Sequence, residues 1–326
     1  MKVITLEDHF TTPMAESLRP PVSAARAHHQ AEYSRRLGFD FEKGLLDLAD
    51  MRLAAMDAAG IDYQVISLTA PGCQGYEAAT SVRLAKDAND LLSEAVRAHP
   101  KRFGGFAALP TADPGEAAKE LERAVTRLGL KGALINGHTR GSFLDERKYW
   151  PIFECAQALD VPIYLHPARP QPAVMKAWFE GYEDLAGAAW GFTADTGLHY
   201  LRLVFAGVYD VFPRLKIVLG HDGEGLPFVM QRMNAHIEMD AAHRGLKKKP
   251  IEYLRENLIV TTSGNFSTAA FLCTYLELGA ERILFSVDWP YESNTEAADF
   301  LRRLPVCAGD LEKIAHLNAA RLLHLE

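Results

Sequence analysis

The 326-residue chain lacks the marks of several large protein classes. It has no basic stripe longer than Lys247-Lys248-Lys249 and a formal net charge of −7, which argues against a surface for nucleic acid or anionic lipid. Its four cysteines, Cys73, Cys155, Cys273 and Cys307, show no CxxC spacing, so the chain reads as a reduced, cytoplasmic protein. Residues 1–10 carry no basic segment followed by an apolar one. The most apolar long stretch, 185–209, is broken by Asp195, His199 and Arg202, short of the ~18 uninterrupted apolar residues a membrane span needs. A GxGxxG phosphate loop is missing after the first predicted strand, which runs instead into Glu7-Asp8-His9-Phe10. These absences leave a small molecule as the expected partner.

What is present is an ordinary globular composition, 48% hydrophobic and 24% charged, enough for a large core. Short β-branched runs alternate with helical patterns, the signature of βαβ units around a parallel sheet. The runs fall at 3–6, 64–68, 103–109, 132–135, 161–165, 216–219, 258–261 and 282–286. Between them Leu46, Ala49, Leu53 and Met56 line one helical face, with Gly60 where a helix would stop; Leu84, Ala88, Leu91, Leu92 and Ala95 line another before Pro100. Eight βα units predict an α/β fold of the (β/α)8 TIM-barrel type, one domain over residues 1–326. Residues 11–43 are too long for an ordinary βα loop, and their prolines suggest a lid or interface insertion after the first strand.

In such a barrel the reacting groups come from the C-terminal ends of the strands, so the residues after each run carry most weight. The first strand exits at Glu7-Asp8-His9. Residues two apart in a strand share a side, so Glu7 and His9 can face the barrel mouth while Asp8 faces away; an exposed acidic turn is the other reading. The fifth ends at His166-Pro167, a histidine that reads as a ligand or as a satisfied core residue. The sixth exits at Gly220-His221-Asp222-Gly223-Glu224-Gly225, whose glycines admit close approach. The eighth runs into Asp288-Trp289-Pro290, and a buried carboxylate is costly unless paired or metal-bound. Together Glu7, His9, His166, His221 and Asp288 fall at one end of one barrel. Such imidazole and carboxylate groups suit Zn²⁺ or Mn²⁺, and three or four protein ligands leave positions for water or substrate.

These exits, with Thr261-Thr262-Ser263-Gly264-Asn265-Phe266 and Asn318-Ala319-Ala320-Arg321, resemble the amidohydrolase superfamily. Within it they resemble the metal-dependent ortho-hydroxybenzoate decarboxylases, the group acting on γ-resorcylate (2,6-dihydroxybenzoate), 2,3-dihydroxybenzoate and 5-carboxyvanillate. The likeness covers nearly the whole chain, weakest over 11–43 and 170–183. Hydrolytic members commonly carry His-x-His after the first strand and often a carboxylated lysine after the fourth, together holding two metals. Here Glu7-x-His9 and Asn136 stand in those places. The resemblance therefore implies one divalent ion, Zn²⁺ or Mn²⁺, held by Glu7, His9, His166 and Asp288 with His221 beside them. It further implies a carboxy-lyase that takes a small aromatic carboxylate and works as a homodimer or homotetramer.

Direct rupture of an aryl–carboxylate bond would leave an aryl carbanion, so the accessible route protonates the ipso carbon first, with an ortho hydroxyl supplying electrons. By resemblance Asp288 is the proton donor. His221 and Glu224, three residues apart, could form a hydrogen-bonded pair that keeps a proton available beside it; alternatively Glu224 only caps or charges the next helix. Arg232, by resemblance, reaches the substrate carboxylate, or is simply a solvent-exposed helical arginine. The same resemblance implies that Tyr291 contacts a ring substituent, while Asn136 and His138, after the fourth strand, contact substrate or satisfy loop backbone. Two other functions stay open: a metal-dependent hydrolase of a lactone, amide or ester, and a catalytically silent barrel serving as a scaffold. The intact ligand set argues against the second.

Overall fold

In the computed structural model, which describes residues 1–19 and 24–325, every strand pairing is parallel. Pro20 and Pro21 of the predicted insertion lie outside the described residues. The strands are β1 (Ile4–Phe10), β2 (Tyr63–Leu68), β3 (Phe103–Gly105), β4 (Ala107–Ala108), β5 (Ala133–Asn136), β6 (Pro162–His166), β7 (Lys216–Leu219), β8 (Leu258–Thr261) and β9 (Ile283–Leu284). They form the orders β1-β2-β3 and β4-β5-β6-β7-β8-β9. β3 and β4 are the two halves of the third predicted strand. The first half pairs with β2 and the second with β5, and Phe106 between them donates its N–H to Ile66 O at 2.9 Å. At the other seam Asp288 N–H donates to Glu7 O at 2.7 Å and His9 N–H to Trp289 O at 2.6 Å. Those bonds join the last strand's extension to the first and give the (β/α)8 arrangement.

Burial explains the strand pattern. Ile4, Leu6, Tyr63, Val65, Phe106, Leu134, Tyr164, Val218 and Leu284 pack as one cluster inside the ring, which Ala319, Leu322 and Leu323 of the last helix join. The opposite faces of the strands meet the surrounding helices in a second, larger cluster. Both faces are apolar, so the runs lack polar alternation, as parallel strands do. β1 is longer than predicted because it continues through Glu7, Asp8 and His9, all fully buried.

Two helix expectations change. The periodic stretch starting at Leu46 divides into helices Phe41–Leu46 and Asp50–Ala59, because Asp47 Oδ1 accepts the Ala49 and Arg52 N–H groups and starts a new helix. In helix Ala78–Ala98, Leu84, Ala88 and Leu92 face the core but Leu91 is exposed. The insertion is helical where described: Pro13–Leu18, Ala24–Leu37 and Phe41–Leu46. Among the described residues no helix is long and apolar enough to cross a membrane.

Candidate metal centre

The centre begins with an irregularity in β1. Thr5 pairs with Gln64 and Asp8 with Ile66, so Leu6 and Glu7 together oppose Val65 alone. Such a bulge resets the inside–outside alternation. Leu6 and Glu7 both face the interior, His9 follows two residues on, and Asp8 points away, where it accepts from Thr5 Oγ1 and from Trp289 N–H. Strand alternation brings Tyr164 and His166 inward from β6, and Thr261 and Ser263 from the end of β8.

Glu7, His9, His166 and Asp288 each offer one ligand atom, all within 4.8 Å of one another. His9 Nε2 lies 3.0 Å from Asp288 Oδ1, and His166 Nε2 lies 3.2 Å from Glu7 Oε1. Glu7 Oε1, His9 Nε2 and Asp288 Oδ1 are nevertheless buried without an aligned hydrogen bond, the arrangement expected of lone pairs converging on a cation. The donor set fits a divalent ion of the Zn²⁺ or Mn²⁺ kind.

The surroundings orient these ligands. Asn136 Oδ1 accepts from His166 Nδ1 at 2.8 Å, which leaves Nε2 free as a ligand lone pair. Glu7 Oε2 accepts from Tyr164 and Ser263, with Thr261 Oγ1 at 3.4 Å. Burial pushes the Glu7 carboxyl up, but the charges of His221, His166 and His9 and the bond from His166 hold it below its ordinary value. Burial beside Glu7 raises the Tyr164 phenol well above its usual value, so it stays a donor. Beneath the centre the fully buried Arg52 stacks 4.2 Å from the Trp289 ring and donates to His9 O at 2.6 Å. Burial lowers Arg52 to about 10 against the pull of Asp8 and Asp47, which leaves it cationic at neutral pH.

From β7 the chain enters unusual backbone. Residues 221–225 have φ values of 53°, 56°, 84°, 54° and 71°, left-handed throughout, at about 1–2 kcal/mol for each non-glycine residue. That turn puts His221 Nδ1 2.8 Å from Glu224 Oε1 and His221 Nε2 3.9 Å from both Glu7 Oε1 and Asp288 Oδ2. Burial disfavours the imidazolium, but Glu224, Glu7 and Asp288 outweigh it and raise the His221 pKa well above its ordinary value. Gly264 makes room for this ring: a Cβ there would stand 2.9 Å from His221 Cδ2.

The other predicted residues are distributed unevenly. Tyr291 closes the mouth, its ring 5.7 Å from that of His9 and its hydroxyl 2.6 Å from Thr69 Oγ1. Tyr33 and Phe41 of the insertion pack on it at 5.7 and 5.1 Å, and Arg36 pairs with Glu292 at 2.5 Å. Asn136 serves His166. His138 sits in the next loop, where its Nδ1 accepts from Gly141 N–H at 3.1 Å and its ring meets Phe143, beside Asp195. Arg232 is solvent-exposed on helix Leu226–His243, outside the buried cluster. Sequence reasoning assigned no site role to Tyr164, Thr261, Ser263 or Arg52, although Thr261 and Ser263 stand in a motif quoted above. Tyr164 lies two residues before His166 and Ser263 two after the strand-end Thr261, so period-2 alternation was the available signal; Arg52 had none.

The chain matches the amidohydrolase family over residues 28–325. It is 42% identical over 332 residues to a γ-resorcylate decarboxylase of Polaromonas sp., covering 99% of this chain and 98% of that protein. Among solved structures, a dihydroxybenzoic acid decarboxylase of Polaromonas sp. with bound manganese and the inhibitor 2-nitroresorcinol gives a TM-score of 0.88 at 39% identity, over 99% of this chain and 97% of that one. A 2,6-dihydroxybenzoate decarboxylase in complex with 2,6-dihydroxybenzoate gives 0.88 at 37% identity, over 100% of both chains.

Proposed function

The chain belongs to the amidohydrolase family, and from that membership and its buried Glu-His-His-Asp cluster we propose that it is a divalent-metal-dependent, non-oxidative decarboxylase of an ortho-hydroxybenzoate such as 2,6-dihydroxybenzoate. The carrying observation is the convergence of four ligand atoms within 4.8 Å, three of them buried without a hydrogen bond. Glu7, His9, His166 and Asp288 hold the ion. When bound, it supplies a Lewis acid that orients a phenolate and a carboxylate oxygen of the substrate.

The chain's own groups handle the proton. Asp288 delivers it to the ring carbon that bears the carboxylate; the carbon–carbon bond then breaks, its electron pair restores aromaticity, and CO₂ leaves. His221, held by Glu224, returns a solvent proton to Asp288, whose Oδ2 lies 3.9 Å from Nε2, a gap that one water or a small shift of the ring spans. Tyr291 contacts the ring edge, and Arg232, Asn136 and His138 remain the proposed substrate contacts. Of these, Asn136 acts through His166, and Arg232, exposed within one chain, needs a neighbouring copy or a side-chain swing to reach a substrate. The reading extends to one barrel domain over 1–326 working in the cytoplasm as a homodimer or homotetramer, with 11–43 partly at an interface. Light scattering that returned a monomer would count against it.

Turnover of 2,6-dihydroxybenzoate by the manganese-loaded protein in D₂O tests the reaction. CO₂ is expected, with one deuteron on the ring carbon that lost it. An unlabelled ring, or acid released from a lactone or amide with no CO₂, would transfer the assignment to a hydrolase.

A further inference from the structure

Glu224 meets His221 only through the left-handed run from His221 to Gly225, and such a run needs anchors from outside. Its backbone has two: Ser263 Oγ accepts from His221 N–H at 3.3 Å, and Thr274 Oγ1 donates to Asp222 O at 3.0 Å. Neither touches the Glu224 side chain. Among the described residues one group besides His221 does: Thr193 Oγ1 donates to Glu224 Oε2 at 2.9 Å, while Oε1 is engaged by His221 Nδ1 at 2.8 Å. Glu224 is 3% exposed, so bulk water has little access to replace a lost donor.

Thr193 is itself firmly placed. It lies in the first turn of helix Gly191–Phe205, whose Gly197 sits against the Glu224 carbonyl; a Cβ there would come within 3.1 Å of that oxygen. Further along, His199 Nε2 accepts from Leu144 N–H at 2.9 Å and Arg202 forms a two-pronged pair with Asp145 at 2.9 Å. The helix is thus tied to the rest of the barrel independently of the strained turn.

We propose that Thr193 is a positioning residue: its hydroxyl fixes the Glu224 carboxylate, and that carboxylate holds the His221 imidazole with Nε2 toward Asp288 and Glu7. The proposal rests on His221 and Glu224 acting as the proton-handling pair. Thr193→Val removes the hydroxyl and keeps the shape; Thr193→Ser keeps the hydroxyl and drops a methyl.

Two readouts on the full protein decide it. In zinc-loaded, ¹⁵N-histidine-labelled protein, the His221 Nδ1–H bonded to a buried carboxylate gives a downfield, slowly exchanging proton resonance, assigned by its loss in His221→Gln. That resonance is expected in the native protein and in Thr193→Ser, and exchange-broadened in Thr193→Val. With manganese and 2,6-dihydroxybenzoate, kcat of Thr193→Val is expected to fall roughly tenfold to a hundredfold, the range of one hydrogen bond to a charged group. KM should stay within about twofold and Thr193→Ser should recover most of the rate. A Thr193→Val protein that keeps the resonance, or loses it at full kcat, overturns the proposal; so does equal loss in the serine variant. Should the native protein release no CO₂, the decarboxylase reading falls while the resonance still decides whether Thr193 positions His221.

Discussion

At the scale of single residues, the site depends on groups that orient ligands as much as on the ligands. Asn136 takes the Nδ1–H of His166 and so leaves the Nε2 lone pair free for an ion. Asn136→Ala is expected to weaken metal affinity about 10- to 100-fold, the usual effect of losing such a partner, while His166→Ala removes the ligand and should abolish both metal and turnover. Metal titration of both variants ranks them; equal occupancy in all three proteins would refute the assignment. His199 shows the same economy away from the centre. Burial, with Arg202 and His138 adding to it, lowers its pKa from 6.5 to about 3. The unfolded chain therefore takes up a proton below pH 6.5 that the native fold refuses until about pH 3. Its contribution is fully present above pH 6.5 and lost as pH falls, at about 1.4 kcal/mol per unit. His199→Gln keeps an acceptor for Leu144 N–H and removes the titration. Denaturant unfolding between pH 6.5 and 4.5 should show a shallower loss in the variant, and parallel slopes would rule this out.

At the scale of elements, strand ends decide where charge can sit. Gly220, directly after β7, has an ordinary φ of −74°, so its absent side chain, not its backbone freedom, is what matters. A Cβ there would stand 2.6 Å from Glu7 Oε2 and 3.0 Å from Ser263 Oγ, inside the hydrogen-bonded cradle of a buried carboxylate. Gly220→Ala is expected to displace Glu7, lower metal occupancy severalfold and destabilise the fold by about 1–3 kcal/mol, the range for overpacking. A variant with native metal content and native stability would show that the cradle yields without consequence. The β1 bulge works the other way, adding a residue so that Leu6 completes the apolar interior and Glu7 begins the polar mouth on the same face.

For the whole molecule, the seam between first and last strands and the candidate metal centre are one structure. Glu7 and His9 on β1 bond through their backbones to Asp288 and Trp289, and three of these four residues are also candidate ligands. An ion held by these residues would tie the two sides of the seam together and would give a partner to the buried Glu7 Oε1, His9 Nε2 and Asp288 Oδ1. A ligand at 100 times its Kd stabilises the native state by about 2.7 kcal/mol, and each kcal/mol moves the midpoint of a domain near this size by roughly 2–4 °C. Chelation is therefore expected to lower Tm by about 5–10 °C, reversed by manganese or zinc. An unchanged Tm after verified metal removal would separate the centre from the seam.

Local sequence determined the eight runs, their parallel character and the polar residues at their exits, because burial on both faces leaves a continuous apolar signature and a candidate ligand histidine after it stands out. His166, Asp288 and the Glu7-x-His9 spacing were legible for that reason. What only the tertiary structure decided is which distant groups meet. The bulge that aims Glu7 depends on pairing between β1 and β2, the division of the third strand on a change of partners at Phe106, and the stack of Arg52 on Trp289 on closure of the ring. Thr193 and Glu224 come together through helix packing across 31 residues, and His138 turns to its own loop although its position resembles that of Asn136. Periodicity records whether a side chain is buried; the partner it finds there is set by register and ring closure, which no local pattern carries.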